Sequence, residues 1–273
     1  MNDLLAALPM LGVLIGLMYL VGLPAAIRQG FWIRPQVDAL ALDEAVTELN
    51  RPELAAASER LDRLMGELSE LGFYEIDRFV VPNFASRCCV VMLLAYDSRT
   101  ETTAGAQLVF HGEASDVVLQ PRGEFYGLTT RYDTPLDLPP RRSSDAVAPT
   151  VIQTTTSPQM FPPPRDVTLE CVDWMQSVAE VHATHRRHCE ALRPPGARPV
   201  SDPQAARELL LRRHARTLAR AVEDGYLQPE TPGLLRLTAR GSLRVASHLM
   251  WPLAPATKAR QRMRTKRRIA AWG

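Results

Sequence analysis

Hydrophobic and polar residues fall into three rhythms along this chain, and each rhythm predicts a different element. The first is unbroken: Leu4 to Ile27 is a run of 24 residues without a charge. As a helix at about 1.5 Å per residue it would reach about 36 Å, against a bilayer core about 30 Å thick. The second has a helical period. Within 38–71, Leu54, Leu61, Leu64, Met65, Leu68 and Leu71 recur on one face. Asn50 with Glu53 resembles a capping box around Pro52, and Gly72 is a stop, because glycine tolerates a left-handed cap. The third rhythm is short and strand-like, in Tyr74–Val81, Ser86–Tyr96, Ala104–Phe110, Asp116–Leu119, Glu124–Tyr132 and Thr150–Thr156. Their short polar connections favour an antiparallel meander. One connection, Thr134–Pro149, is too rich in proline and polar residues to pack. After Gln159–Pro164 the helical rhythm returns, first at Asp166–Leu192, with Cys171, Trp174, Val178 and Val181 on one face, then at Pro203–Asp224.

These patterns predict an α+β fold: an N-terminal transmembrane helix, an antiparallel sheet of about five to six strands packed with helices, and a C-terminal helical part with a small β-hairpin. The expected divisions are an anchor over 1–30, helix plus sheet over 38–165, a helical part with a wing-like hairpin over 166–257, and a basic tail over 258–273.

The opening run has three readings: an uncleaved anchor, a cleaved export signal or a buried core helix. An export signal carries an apolar region of roughly 7–15 residues after a positive start. Here the start is Met-Asn-Asp, and the stretch around Leu23-Pro24-Ala25 lacks small residues at both cleavage positions. The expectation is the anchor, from Leu4 to Ile27. Arg28 and Arg34 follow the run and only Asp3 precedes it, which places the N-terminus outside and the domain on the cytoplasmic side of a bacterial inner membrane, crossed once. Phe31 and Trp32 would then sit in an aromatic belt. Gly12 and Gly16 form a small-xxx-small face through which two membrane helices could pair as a homodimer.

Charge sharpens this picture. The formal net charge is +2, yet Lys258, Arg260, Arg262, Arg264, Lys266, Arg267 and Arg268 all lie in the tail without an acid. Removing those seven leaves the other residues at −5. An apolar stretch ending at Trp251, followed by clustered basic residues, predicts contact with anionic lipid head groups; nucleic acid could use the same charges. The only lysines are Lys258 and Lys266, a bias that fits a GC-rich bacterial genome. The four cysteines, with Cys88 and Cys89 adjacent, do not form a disulfide framework, which fits a reducing compartment.

Candidate chemistry is sparse. His182, His185, His188 and Cys189 cluster on one predicted helix. His185 and Cys189 stand one turn apart, so with His182 they could reach one zinc ion, although a structural site needs four ligands. The competing reading is a helix end packed on the sheet with satisfied histidines. No catalytic signature is present, neither a nucleophile elbow, a zincin motif nor a glycine-rich phosphate loop. No catalytic residue and no cofactor is therefore assigned.

Residues 203–250 carry a winged-helix-like order: a helix, the strand Tyr226-Leu227, a Pro232-Gly233 turn, the strand Leu234–Thr238, then Gly241 and another helix. On that reading Arg207, Arg212, Arg213, Arg216 and Arg220 would contact phosphates; the competing reading, which the interspersed acids favour, is a hairpin used only for packing. The order "LGF" (Leu71–Phe73), "FYGLTTRY" (Phe125–Tyr132), "TVIQTTTSPQMFPPP" (Thr150–Pro164), "GYL…LRLTARG" and a Trp251-Pro252 step resembles a set of uncharacterised bacterial single-pass membrane-anchored proteins. The resemblance implies no activity. The functional expectation is a non-catalytic scaffold or binding module at the inner membrane, with a membrane-tethered DNA-binding regulator as the alternative.

Overall fold

The computed structural model of the 273-residue chain describes residues 22–49, 51–86, 88–111, 120–133, 151–157, 160–173, 175–193, 196–249 and 263. Their elements run α1 (Leu23–Gly30), β1 (Trp32–Ile33), β2 (Leu40–Ala41), α2 (Leu42–Leu49), α3 (Pro52–Glu70), β3 (Tyr74–Ala85), β4 (Cys88–Asp97), β5 (Thr102–His111), β6 (Gln120–Asp133), β7 (Val151–Thr155) and β8 (Val167–Cys171). There follow α4 (Val178–Leu192), β9 (Arg198–Pro199), α5 (Ala206–Glu223), β10 (Leu227–Thr231), β11 (Leu234–Leu237) and α6 (Ala239–Leu249).

The strands form one sheet in the order β10-β11-β1-β3-β4-β5-β6-β7-β8, with β2 beside β3 and β9 beside β6. The α+β class stands, but the expectation of five to six antiparallel strands is corrected to an 11-stranded sheet. It is mixed, because β8 runs parallel to β7 at one edge. The unexpected strands β1, β2, β8 and β9 are two to five residues long and pair with partners distant in sequence, so no local pattern announces them, and the expected hairpin β10–β11 joins the same sheet.

The anchor is corrected as well. Among the described residues no helix is long and apolar enough to cross a membrane. The single-pass inner-membrane location drawn from Leu4–Ile27 is therefore not carried forward. Leu4, Gly12 and Gly16 lie outside the described residues, and so does the pairing face built on them. The described end of that run has a different job. It belongs to α1, eight residues long with Pro24 buried, and Ile27 and Phe31 pack into a protein core with Leu218, Leu227, Leu237 and Val245. Trp32 is no belt residue either; it pairs with Arg236 of β11 and carries the Arg34 guanidinium over its ring.

The predicted stripe is the heart of the first core. Leu54, Leu61, Leu64 and Leu68 of α3 are buried against Cys89, Val91, Leu93 and Ala95 of β4. The helix opens on Arg51 without a side-chain cap, its Pro52 needing no amide partner at the first position. Asn50 lies outside the described residues. Gly72 stops the helix at φ +92°. The expected helix Asp166–Leu192 divides instead. Val167–Cys171 is a strand, and the helix starts at Val178 under a true capping box of Ser177 with Glu180.

The two faces of the sheet are covered unequally, and this positions the site. From Cys89 to Asp97 every residue of β4 is buried, as expected of a strand covered on both sides. The next strand, β5, alternates: Thr102, Ala104, Ala106, Leu108 and Phe110 are buried, while Thr103, Gly105, Gln107 and Val109 are half-buried. Helices α3 and α4 cover the first set. On the opposite face α5 packs Ala206 and Leu210 on Phe79, Val90, Met92 and Leu94 of β3 and β4. Beyond β4 no helix core among the described residues packs on that face.

At the C-terminal end the hairpin β10–β11 is not a free wing, because β11 pairs with β1 and joins the sheet. Gly241 in α6 is held there by close approach. A Cβ at this position would lie 2.0 Å from the Tyr226 carbonyl oxygen. Gly241→Ala is expected to lower unfolding stability by about 3 kcal/mol, measured by urea denaturation. An unchanged midpoint would show that the two elements separate freely.

Candidate functional site

The histidines named from sequence, together with Cys89 and Cys189, occupy the closed face. All four cysteines are free. Burial pushes the Cys88 thiol up to about 11 and the Cys89 thiol up to about 12, so both stay protonated and unreactive. Cys88 and Cys89 point to opposite faces of the sheet.

His185 is only 1% exposed and sits inside a hydroxyl network. Its Nε2 lies 2.9 Å from Thr130 Oγ1 and its Nδ1 lies 3.1 Å from Thr154 Oγ1. Thr130 continues to Thr102 at 2.8 Å. Thr154 also meets His188 Nδ1 at 3.2 Å, and the other nitrogen of His188 contacts Glu170. Cys189 Sγ lies 3.4 Å from His185 Nε2. His182 faces elsewhere, its ring edge-on to Phe73 at 5.7 Å. Among the described residues no group of three or more His, Cys, Asp or Glu side chains is arranged to hold a metal ion. Burial pushes His185 down to about 3, helped by the neighbouring His188 and His182. The network is a satisfied polar layer that joins α4 to β6 and β7.

The open face holds the stronger candidate. A cleft of about 480 Å³ lies between α5 and strands β5 to β8. Its floor follows from the strand period of two. Thr103, Thr129 and Gln153 form one cross-strand row, Gly105, Gly127 and Thr155 the next. Its wall is α5, which projects Arg212, Arg213 and Arg216.

The five α5 arginines assigned to phosphate contacts on the winged-helix reading have separate fates. Arg207 forms a two-pronged pair with Asp77 of β3, with Nη2 at 2.6 Å. Arg212 pairs with Glu208, Arg216 with Asp166 at 2.6 Å, and Arg220 with Asp224 at 3.5 Å. Among the described residues Arg213 alone of the five has no carboxylate partner. It reaches into the cleft and donates from Nη1 to Thr129 Oγ1 at 3.1 Å. Burial and the positive charge of Arg131 push its guanidinium down to about 10. Arg131 also lines the cleft and forms no ion pair among the described residues.

The half-buried Arg213 and the exposed Arg131 therefore line one pocket, and neither has a compensating carboxylate among the described residues. A guanidinium presents five donors in a rigid fork suited to carboxylate and phosphate. Among the described lining residues the one carboxylate, Asp166, is engaged with Arg216. Neither histidine nor cysteine is among the described lining residues. The arrangement can bind an anion; it offers no paired nucleophile and base.

Comparison with protein-family models, with curated proteins and with solved structures returns no match.

The geometry of this site is therefore the whole basis for a functional reading. Sequence reasoning named Arg213 for a different role and passed over Arg131, Gln107 and Gln153. The one signal available was glycine inside strand patterns, at Gly105 and Gly127, which marks close backbone approach. The membrane-surface residues Trp251, Lys258, Arg260, Arg262, Arg264, Lys266, Arg267 and Arg268 lie outside the described residues.

Proposed function

We propose that this protein is a non-catalytic binding module that holds a small anionic ligand between α5 and the open face of the sheet. The observation that carries this is Arg213, a half-buried arginine aimed into a cleft beside Arg131 and paired with no carboxylate among the described residues. An uncompensated buried cation is costly to a fold. It is tolerated where a ligand supplies the missing charge. Charge-assisted hydrogen bonds to such a ligand are about twice as strong as neutral ones. The chemistry of the described lining supports binding over turnover, since its one carboxylate is committed and its other polar groups are hydroxyls, amides and guanidiniums.

Thermal unfolding of the full chain in rising concentrations of inorganic phosphate tests the reading. Saturable stabilisation is expected, by about 2–3 kcal/mol at a hundred times the dissociation constant. The same titration of Arg213→Met should be flat. Equal stabilisation of both proteins, or of neither, would remove the cleft as an anion site.

A further inference from the structure

Gly105 and Gly127 are direct partners across β5 and β6. Glycine inside a strand costs stability and offers no side chain to pack. Neither of these glycines is explained by its backbone. Among the described residues the left-handed glycines are Gly72, Gly196, Gly225 and Gly233, and neither of these two is among them. Crowding does not explain them either. A Cβ on Gly105 would meet nothing nearer than Leu94 Cδ2 at 3.7 Å, and one on Gly127 nothing nearer than Thr155 Oγ1 at 3.4 Å. Both contacts are ordinary. Both also belong to cleft-lining side chains, so the bare surface faces the cleft. A strip of naked peptide backbone with room for side chains is thus kept clear in the floor of the site. The neighbouring Phe125 leaves it clear as well, because its ring folds back over Gly123, with atoms 2.9 Å from where a Cβ there would stand.

The strip has a direction. Thr129, which receives Arg213, is two residues from Gly127 on β6, about 7 Å along the strand. Gln107 is two residues from Gly105 on β5, about 7 Å the other way. Gln153 lies alongside, with its Nε2 3.7 Å from the Cβ position of Gly127. Neither glutamine side chain has a hydrogen-bond partner among the described residues. Among the described residues the cleft thus offers a cationic corner with the Gln153 amide beside it in the row of Thr129, then a flat strip, then the Gln107 amide at the far end. Each amide carries both donors and an acceptor.

We propose that the ligand is a mononucleotide. Its phosphate takes the corner of Arg213 and Arg131, where two guanidiniums without a carboxylate suit a dianionic phosphate ester. Its base lies flat on the backbone of Gly105 and Gly127. Gln107 and Gln153 meet the edge of the base, as glutamine amides do in reading nucleobases. This rests on the anion-binding reading above and goes beyond it by naming the body attached to the anion.

Isothermal titration of the full chain with inorganic phosphate, ribose 5-phosphate and the four common nucleoside 5′-monophosphates separates the two. At least one nucleotide is expected to bind about 10-fold or more tightly than ribose 5-phosphate, the effect of a base held on the strip and read by the glutamine amides. Gly127→Val should remove that gain and leave the affinity for ribose 5-phosphate in place. Gly105→Val, whose nearest neighbour is further off, serves as the second variant should the first not fold. If ribose 5-phosphate and the nucleotides bind alike, the anion site stands and the nucleotide inference fails. A nucleotide gain that survives both glycine variants places the base elsewhere and overturns it too. If none of the compounds binds, the anion-binding reading itself fails.

Discussion

Replacing Arg213 with methionine is expected to abolish anion binding and at the same time to stabilise the unliganded protein. The two effects share one cause. Arg213 is pushed down to about 10 because burial and Arg131 both disfavour its charge. At neutral pH the fold therefore carries a cation it holds less well than water does, a penalty on the order of 2 kcal/mol. Methionine keeps the apolar stem of the side chain and removes the charge. The lost hydrogen bond to Thr129 returns about 1 kcal/mol of that gain. The net expectation is about 1 kcal/mol of added stability, seen as a rise of roughly 2–4 °C in the unfolding midpoint. Phosphate affinity should fall about 30-fold or more, equivalent to losing about 2 kcal/mol of charged hydrogen bonding. A variant that lost stability along with binding would mean that Arg213 is a structural residue whose charge is already compensated.

Acid should unfold this protein early, through His185. The ring is buried between Thr130 and Thr154 and pushed down to about 3, whereas in the unfolded chain it titrates near 6.5. Its contribution to stability is complete above pH 6.5. It is lost as the pH falls towards 3, because the unfolded state takes up a proton that the folded state refuses. Between pH 7 and pH 4.5 the loss should reach about 2–3 kcal/mol. The neighbouring His188 is also pushed down, to about 4, by burial and Arg187. Glu170 at its other nitrogen opposes that shift, so the main effect is assigned to His185. Asp97 and Glu124 are held below their ordinary values and lose their contributions at lower pH, outside this window. Urea denaturation at pH 7 and 4.5 should show the wild type losing about 2–3 kcal/mol more than His185→Gln. Parallel losses in the two proteins would show that His185 is not the acid-sensitive group.

What could be read in the sequence was whatever depends on local period. The leucines of α3 announce a buried helical stripe because their spacing alone puts them on one face. The strands β3, β4, β5 and β6 are legible for the same reason, and Gly72 marks its turn because only a left-handed residue fits there. Asp166–Leu192 was misread because the pattern of Cys171, Trp174, Val178 and Val181 fits a helix by coincidence. Val167 to Cys171 pairs instead with β7, a long-range choice no window of ten residues contains. The two-residue strands at Trp32, Leu40 and Arg198 exist only through their partners. The site was hidden for a stronger reason. Arg213 meets Thr129 across 84 positions of sequence, and only the packing of α5 over β3 and β4 decides that it enters the cleft while Arg207 and Arg216 find carboxylates.

The measurement that bears most directly on the cleft is a phosphorus NMR titration of inorganic phosphate with the full chain and with Arg213→Met. Both proteins keep the seven basic residues of 258–273, so any phosphate held by the tail affects them equally and only the difference between them reports the cleft. Saturable broadening or shift in the wild type, absent in the variant, is the expected result. The same response in both proteins, or none in either, would contradict the claim that Arg213 and Arg131 form an anion site.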